Sequence, residues 1–292
     1  MSLRAEAARV AVVIVNYQSY DELHACLESL GQACRVWPVV VVDHASDPAA
    51  AGALSSRFPD VRLLCLEENA GFAAGINTGV RATDAPFLLF INPDCTIEPE
   101  ACCRLIESLE RNPDAGVAGP RIRNADGSIQ PSARRFPDLT TAVAGRSSWL
   151  TRVLPGNPIS RRNLPARDAS LTSIVDVDWV SGACMLVRRK AFDAVGGMDQ
   201  GFFLYWEDAD FCRRLDHAGW RTLYVPAASV VHVGGRSSRH AADASLEAFH
   251  RSALRLHRKH ASVAGRLLTP LVFVGLQARL AFMKRWVKRV KA

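Results

Sequence analysis

The chain has 292 residues, 49% hydrophobic and 22% charged, which excludes a disordered or fibrous protein and allows one large domain or two small ones. From Arg236 to the end there are thirteen Lys or Arg residues and two acidic ones, a local charge of +11. Because the whole chain carries +7, the residues before Arg236 carry −4. A mildly acidic body with a strongly basic tail predicts an anionic partner, either a membrane surface or a nucleic acid.

The lack of a recognisable targeting signal and the spacing of the cysteines both lead us to expect a cytoplasmic protein. Residues 1–9 contain no apolar core of the kind found in signal peptides. No segment reaches the roughly 18 uninterrupted apolar residues of a spanning helix, since Leu267–Met283 is broken by Pro270 and Arg279. The eight cysteines form no CxxC pair, so we expect reduced and mostly buried thiols rather than a zinc site or a disulfide framework.

Residues from about 8 to 120 alternate apolar runs with amphipathic segments. The helical spacing of apolar residues predicts helices at Asp21–Leu30, Gly71–Ala82 and Glu98–Glu110. The apolar runs predict buried strands at Val10–Val15, Val39–Val42, Val61–Leu66 and Phe87–Ile91, with a short fifth strand at Val117–Ala118. Strands that are apolar throughout indicate a parallel sheet covered on both faces, so this part predicts a doubly wound α/β half.

Residues 121–236 form a second predicted half with a less regular pattern. Asp126-Gly127 predicts a hairpin within Arg121–Gln130, and Pro131–Ser173 predicts a long surface excursion with a short helix around Thr140–Leu154. The remaining predicted elements are a strand-like run Ile174–Val187, a helix Arg189–Val195, a helix that opens at Glu207, and strands Thr222–Val225 and Ser229–Val233.

Residues 237–292 form a predicted basic tail with helices at Ala244–His260 and Val272–Val290. The second helix carries an apolar face of four residues: Leu276, Leu280, Met283 and Val287. A cationic amphipathic helix of this kind lies well in an anionic membrane interface. The alternatives are a helix packed on its own domain and a homodimer contact. Nucleic acid is disfavoured because the tail has few aromatic residues for base stacking beyond Trp286.

Polar residues follow several of the predicted strands. Asn16, Asp43, Asn92 and Asp94 stand at carboxyl ends of strands, where open α/β sheets bind their ligands. The oxygen pair Asn92 and Asp94 suits a hard divalent cation that also holds phosphates, although a turn around Pro93 is the alternative. Asp43 can accept hydrogen bonds from a nucleotide base or ribose, or it can cap a helix.

Two further segments carry candidate binding groups. Asn69–Gly79 places small residues at a helix start, where the backbone can approach a pyrophosphate. Its glycines are spaced by four, which differs from the dinucleotide fingerprint, and tight helix–sheet packing is the alternative. His232 ends a predicted strand, and its imidazole could join a carboxylate and diphosphate oxygens around Mg²⁺ or Mn²⁺, or serve a structural role.

Adjacent acids follow an aromatic loop in the second half. Glu207 and Asp208 begin a predicted helix directly after Tyr205 and Trp206. Aromatic rings stack on sugars, so an acid beside them is a candidate general base for a carbohydrate hydroxyl. Helix capping is the alternative. Asp210 points about 200° away from Asp208 around the helix, so the two are not expected to serve one site.

These segments together resemble the inverting family 2 glycosyltransferases of the GT-A fold, of the bacterial rhamnosyltransferase-like kind. The resemblance covers about residues 10–236, and its motifs occur in the family's order. The motifs are Val13–Tyr17, Val40–Asp43, Asn69–Gly79, Ile91–Asp94, Trp179–Ala183, Gly196–Asp199, Phe203–Asp210 and Val231–His232.

The resemblance implies a role for each matching residue. Asp208 is the catalytic base, and Asp94 and His232 hold Mg²⁺ or Mn²⁺, while Asn92 stands where the family usually has an aspartate. The implied donor-binding residues are Asn16, Asp43, Asn69, Gly71, Phe72, Asn77 and Asn92, with Asp43 contacting the base. The implied acceptor-binding residues are Trp179, Gly182, Tyr205, Trp206 and Glu207.

The implied reaction transfers rhamnose from dTDP-rhamnose, with inversion, to a polyprenyl-diphosphate-linked saccharide at the inner face of the cell membrane, in cell-surface polysaccharide synthesis. Transfer of galactofuranose or N-acetylglucosamine from a UDP-sugar is an alternative within the class. A non-catalytic sugar-nucleotide-binding protein is the alternative outside it. Hydride transfer with a dinucleotide is disfavoured because the glycine spacing does not fit.

Overall fold

The computed structural model describes residues 9–31, 37–45, 47–136, 171–234 and 242–291, with the backbone alone for residues 286–291. Most of the predicted excursion Pro131–Ser173, including the helix expected around Thr140–Leu154, lies outside the described residues. The described strands form one nine-stranded sheet and a two-stranded one.

The first half is the predicted doubly wound α/β unit. Its parallel strands are β1 (Val10–Asn16), β2 (Val39–His44), β3 (Val61–Leu66) and β4 (Phe87–Ile91), in the spatial order β3-β2-β1-β4. Three of them, β1, β2 and β4, are almost entirely buried, as strands covered on both faces must be. The two larger core clusters lie on opposite faces of this sheet. One contains Val10, Val12 and Ile14 of β1, and the other contains Ala11 and Val13.

The helices of this half are α1 (Tyr20–Leu30), α2 (Pro48–Arg57), α3 (Phe72–Arg81) and α4 (Pro99–Arg111). Helix α2 was missed by the sequence patterns, although Asp47 caps it by accepting a hydrogen bond from the Ala49 backbone N–H. Helix α3 lies close against the sheet: a Cβ on Gly75 would meet Val15, and one on Gly79 would lie 2.4 Å from Val13. These two glycines therefore serve helix–sheet packing.

The second half adds both parallel and antiparallel strands to the same sheet. They are β5 (Cys95–Ile97), β6 (Ala115–Arg123), β8 (Val175–Val177), β10 (Cys184–Arg188) and β11 (Arg221–His232), while β7 (Ala133–Arg134) and β9 (Trp179–Val180) form the small sheet. Strand β10 runs antiparallel between β4 and β6, and β6 and β11 run parallel to each other. The sheet is therefore mixed but mostly parallel.

Several element boundaries differ from the sequence-based expectation. The run Ile174–Val187 is divided into three strands, and β5 was not expected because it has only three residues. The two strands expected at 222–225 and 229–233 are one strand, β11, with a register shift between Val225 and Ser229. This irregularity accommodates Pro226, which has no N–H to donate to a neighbouring strand.

The tail contains α7 (Ala242–His260), α8 (Val263–Leu267) and α9 (Thr269–Lys291), after α5 (Arg189–Ala194) and α6 (Glu207–His217) of the second half. Helices α7 and α9 pack together through Lys284, which pairs with Glu247, and through Arg279, which stacks on Phe249.

The apolar face of α9 that was expected to meet a membrane faces α7 instead. Leu276, Leu280 and Met283 are half-buried and lie on the side of the helix between Arg279 and Lys284, both of which contact α7. The side chain of Val287 lies outside the described part. The physical reason is that a neighbouring helix offers this face a partner within the chain itself. Among the described residues, no helix is both long and apolar enough to cross a bilayer.

The cysteines follow the expectation. All seven that the structure describes are free thiols, and Cys26, Cys95, Cys102, Cys184 and Cys212 are buried.

Candidate active site

Asp94 and His232 meet at one corner of the sheet. Strand β5 pairs antiparallel with the end of β11, so His232 lies opposite Cys95, and the Val233 backbone N–H donates to the Asp94 carbonyl (3.0 Å). His232 Nε2 lies 3.2 Å from Asp94 Oδ1, and both side chains remain 18% exposed. One carboxylate oxygen and one imidazole nitrogen that are open on one side fit a divalent cation that also binds diphosphate oxygens.

Cys95 lies within reach of the same corner but is a poor ligand. Its sulfur lies within 4.8 Å of the ligand atoms of Asp94 and His232. However, its thiol donates to the Ala183 carbonyl (3.3 Å) and is fully buried. Burial raises the pKa of the Cys95 thiol well above its ordinary value, so the thiolate that a metal needs is disfavoured. The fitting donor set is therefore Asp94 and His232.

The segment Gly182-Ala183 joins this corner to Asp208. The Asn92 backbone N–H donates to the Ala183 carbonyl (2.8 Å), while the neighbouring Gly182 N–H donates to Asp208 Oδ2 (3.0 Å). A Cβ on Gly182 would lie 3.5 Å from both the Asp208 side chain and the ring of Phe72. Two consecutive residues thus hold the candidate metal corner and the candidate base in one crevice.

Asp208 sits in the first turn of α6, where the helix dipole and free N–H groups favour an anion. Its side chain is half-buried. Desolvation raises the pKa of Asp208, although hydrogen bonds from the Gly182 and Ala209 backbone and the charge of Arg134 act in the opposite direction. A carboxylate with a raised pKa and a fixed orientation is suited to accept a proton from a hydroxyl group.

Glu207 differs sharply from its neighbour. Only 7% of the residue is exposed, and Oε2 has no hydrogen-bond partner among the described residues. Burial, reinforced by the negative charge of Asp208, raises the pKa of Glu207 to about 8. From the sequence, Glu207 was expected to contact the acceptor. In the structure, its side chain is buried in the protein interior.

The ends of β1 and β2 carry the candidate nucleotide-side groups. Asn16 Nδ2 donates to Asp43 Oδ1 (2.7 Å), and the Tyr20 hydroxyl donates to Asp43 Oδ2. Asn16 and Asp43 are 0% and 2% exposed, so this pair is buried at the carboxyl ends of the two strands. Asn16 Oδ1 has no hydrogen-bond partner among the described residues. Tyr20 was not anticipated, because its contact with Asp43 joins a helix start to a strand end.

The start of α3 is built from local hydrogen bonds. Asn69 Oδ1 accepts from the Gly71 N–H (3.0 Å), and His44 Nδ1 accepts from the Ala70 N–H (3.0 Å). Gly71 has φ +87°, and a Cβ there would lie 2.4 Å from the Phe203 carbonyl oxygen, so only glycine fits. The Phe72 N–H donates to the same carbonyl (3.0 Å), which joins the donor side to the aromatic loop.

Asn77 takes a different role from the predicted one. Its amide nitrogen donates to the Met198 carbonyl (2.8 Å), and its amide oxygen accepts from the Met198 N–H (2.9 Å). Both ends of the side chain are used, and the residue is buried. Asn77 therefore ties α3 to the Gly197-Met198 turn, and the donor contact expected for it is replaced by this internal bond pair.

The aromatic loop before α6 is held by helix α7. Tyr205 and Trp206 both have φ +68°, a conformation that costs energy in residues with a side chain. The Phe249 ring of α7 lies 5.8 Å from the Tyr205 ring and 5.3 Å from the Trp206 ring. The Ser252 hydroxyl donates to the Leu204 carbonyl (2.9 Å). The predicted tail therefore forms one wall of the site.

Trp179, another expected acceptor contact, lies beneath this loop. It is 4% exposed, its indole N–H donates to the Arg135 carbonyl (3.0 Å), and its ring stacks under the Arg134 guanidinium at 4.6 Å. Its burial rules out direct stacking on a sugar in this structure. It supports Trp206 instead, whose ring lies 6.1 Å away and is partly accessible.

A group of charged residues connects α7 to α6, the helix that begins with Glu207 and Asp208. Asp210 is fully buried and accepts from Arg214 (2.8 Å), Lys259 (2.8 Å) and His260 (2.7 Å). Burial alone would raise the pKa of Asp210, but these hydrogen bonds outweigh it and lower the pKa. As expected from the helical geometry, Asp210 does not join Asp208 in the crevice.

Comparison with known proteins agrees with this geometry. The family model described as Glycosyl transferase family 2 matches residues 11–196. The N-acetylglucosaminyl-diphospho-decaprenol L-rhamnosyltransferase of Mycobacterium tuberculosis is 36% identical over 82% of this chain and 81% of its own length. The rhamnosyltransferase WbbL of Escherichia coli K12 is 28% identical over 79% of this chain and 85% of its own length.

Solved structures show the same fold. GalNAc-T7 with UDP, GalNAc and Mn²⁺ superposes with a TM-score of 0.57 at 15% identity, over 77% of this chain and 43% of that one. The mannosyltransferase PcManGT of Pyrobaculum calidifontis with GDP-Man and Mn²⁺ gives 0.55 at 16% identity, over 95% and 71%. The fold is that of the GT-A glycosyltransferases, and the chain belongs to glycosyltransferase family 2.

Proposed function

We propose that this glycosyltransferase is inverting and metal-dependent, with Asp208 as general base and Asp94 and His232 as metal ligands. The observation that carries the proposal is the Gly182-Ala183 segment, which hydrogen-bonds Asp208 with one residue and the Asn92–Asp94 turn with the next. A base and a cation site in one crevice are what a single displacement at an anomeric carbon requires.

Each group of the candidate site has its own role in the proposed reaction. An acceptor hydroxyl beside Asp208 gives its proton to the carboxylate while its oxygen bonds to the anomeric carbon. The bond from that carbon to the donor's diphosphate oxygen breaks, and the nucleoside diphosphate leaves on the opposite face of the sugar. Asp94 and His232 would hold Mg²⁺ or Mn²⁺, which when bound neutralises diphosphate charge. General-base help of this kind contributes roughly 10²–10⁴-fold to the rate.

The proposed donor is dTDP-rhamnose, and the proposed acceptor is a saccharide on a polyprenyl diphosphate. The support comes from relatives that match this chain over most of both lengths and whose names specify rhamnosyl transfer, in one case to an N-acetylglucosaminyl-diphospho-decaprenol. A galactofuranosyltransferase, GlfT2 of Mycobacterium tuberculosis, is 25% identical, but this chain covers only 30% of its length. Galactofuranose is therefore the second candidate.

A cleft beside the aromatic loop supports a diphosphate-bearing acceptor. It has a volume of about 80 Å³ and is lined by Gly201, Phe203, Ala248, Arg251, Ser252 and Arg255. Arg255 is bonded to Asp199, whereas Arg251 is exposed toward solvent. Phe203 contacts the donor side through its carbonyl, so the cleft adjoins the crevice. The exposed guanidinium group of Arg251 is a suitable partner for a phosphate of the acceptor.

The tail supports a membrane location. Val263, Leu267, Leu271, Val274 and Phe282 are each at least 62% exposed, and the last three fall on one side of α9. Arg285, one turn beyond Phe282, is exposed on the same side. We place the protein at the cytoplasmic face of the membrane, where an exposed apolar stripe with adjacent cations can bind anionic lipid.

A panel of donors tests the function. Purified protein is incubated with Mn²⁺, a synthetic N-acetylglucosaminyl-diphospho-polyprenol, and either dTDP-rhamnose or UDP-galactofuranose, and the linkage is determined by NMR. Rhamnosyl transfer with inverted anomeric configuration is expected, and it should stop with EDTA. Transfer of galactofuranose alone, or retained configuration, would overturn the respective part of the proposal.

The cleft is tested with Arg251→Gln, using Arg258→Gln on the same helix as a matched exposed control. Arg251→Gln should raise KM for the diphosphate acceptor by roughly tenfold, because one charge-assisted contact is lost. Its affinity for the donor should be unchanged. Equal KM values in both variants would exclude the cleft as the diphosphate site.

A further inference from the structure

Gln130 touches the backbone and the ring of His232 at the same time. It follows the hairpin between β6 and β7, where its backbone N–H donates to the Ile122 carbonyl (2.8 Å). Its side-chain nitrogen Nε2 lies 2.9 Å from the His232 carbonyl oxygen and 2.7 Å from Asn124 Oδ1. Its side-chain oxygen Oε1 lies 3.0 Å from His232 Nδ1.

The carbonyl of His232 decides which way the Gln130 amide points. A backbone carbonyl oxygen can only accept, so the Gln130 atom beside it must be the NH₂ group. The other amide atom, which faces His232 Nδ1, must then be the carbonyl oxygen. The His232 carbonyl therefore allows only one orientation of the Gln130 amide.

The amide oxygen in turn decides the tautomer of His232. Because that oxygen only accepts, His232 Nδ1 must carry the hydrogen of this contact. In neutral imidazole the other nitrogen, Nε2, then holds a lone pair. Nε2 is the atom that faces Asp94 Oδ1 at 3.2 Å. The lone pair of His232 Nε2 therefore lies beside the Asp94 carboxylate, where the cation is proposed to bind.

We propose that Gln130 is a positioning residue that fixes the tautomer and the ring orientation of His232 for cation binding. This inference rests on the proposed metal site. Ring N–H groups of metal-binding histidines are commonly held by an acceptor of this kind, and loss of that acceptor typically lowers metal affinity by 10–100-fold. The residue lies 102 positions before His232, outside every motif of the site.

The test measures Mn²⁺ affinity by titration calorimetry, without donor or acceptor. Gln130→Met removes the acceptor and should weaken Mn²⁺ binding by 10–100-fold. Gln130→Glu loses the two donated bonds but keeps an oxygen for Nδ1–H, so its Mn²⁺ affinity should stay within about threefold of wild type. Equal losses in both variants would mean that Gln130 merely braces the hairpin, and would overturn the inference.

Two controls separate this inference from the metal site itself. His232→Ala should lose Mn²⁺ binding, and if it binds as wild type does, the metal assignment fails as well. Asn124→Ala removes one contact of the Gln130 NH₂ group and should leave Mn²⁺ affinity unchanged. With Mg²⁺ bound, ¹⁵N NMR should show hydrogen on His232 Nδ1, and hydrogen on Nε2 alone would contradict the proposal.

Discussion

Glu207 and Asp208 are adjacent acids with opposite environments. Asp208 is half-buried and receives backbone hydrogen bonds, whereas Glu207 is buried with Oε2 unpartnered among the described residues. The raised pKa of Glu207, about 8, keeps that side chain largely protonated at neutral pH. Burial also raises the pKa of Asp208, but backbone hydrogen bonds and the charge of Arg134 oppose that rise. The pair therefore places the candidate base, Asp208, beside a largely protonated acid.

The pKa of Glu207 predicts how stability changes with pH. The folded pKa of about 8 lies above the unfolded value of 4.5, so the folded protein binds this proton more tightly. The free energy of unfolding should therefore fall as pH rises from about 4.5 to 8, by on the order of a few kcal/mol at most. Glu207→Gln should remove this decline. The measurement is the melting temperature of both proteins between about pH 4.5 and 8. If the assignment is wrong, the melting temperature of Glu207→Gln will fall with pH as steeply as that of the wild type.

Among the secondary-structure elements, α7 contacts the candidate site as well as forming the first helix of the tail. It packs Phe249 against Tyr205 and Trp206, and it supplies Lys259 and His260 to the buried Asp210 of α6. These contacts hold the loop with two positive φ angles directly before the candidate base. The predicted tail 237–292 thus contains one helix that belongs to the site and two that follow it.

Truncation separates these parts. A chain that ends after Ser262 keeps α7 and should retain its melting temperature within a few degrees and its donor affinity. A chain that ends after Gly234 loses the contacts of Lys259 and His260 with Asp210 and the packing of Phe249 against the aromatic loop. It should be unfolded or unable to bind donor in calorimetry. Equal donor binding by both chains would contradict the role of α7.

The positions of the candidate metal ligand Asp94 and the candidate base Asp208 were predictable from sequence, because each lies at the end of a strongly patterned element. Asp94 follows an apolar strand, and Asp208 opens a helix after an aromatic loop. Burial of Glu207 and Trp179 was not predictable, because it depends on which side of the loop α7 covers. Gln130 and Tyr20 carry no local signal, since their contacts with His232 and Asp43 are formed only by the fold.

At the scale of the whole molecule, the exposed apolar stripe of α8 and α9 gives the protein a side that can face a membrane. The proposed acceptor cleft is lined by α7, which packs against α9, so we propose that a lipid-linked acceptor enters from the same side. The charge asymmetry of the chain, +11 after residue 235 and −4 before it, favours this orientation toward anionic lipid.

Vesicle flotation tests this orientation. The triple change Leu271→Ser, Val274→Ser and Phe282→Ser should abolish flotation with vesicles containing anionic phospholipid, while melting temperature and donor affinity stay unchanged. Val233→Ser with Ile174→Ser removes exposed apolar side chains elsewhere and serves as the control. Unchanged flotation of the triple variant would refute the membrane contact. A concentration-dependent dimer that the triple change dissolves would assign the stripe to self-association instead.

We propose above that Asp208 is the general base of a glycosyl transfer. The most direct measurement is turnover of Asp208→Asn with dTDP-rhamnose, Mn²⁺ and the lipid-linked acceptor, beside calorimetric donor binding by the same variant. We expect donor affinity within a few fold of wild type and a loss of at least roughly 10²-fold in kcat. Turnover close to that of the wild type, with binding intact, would contradict it.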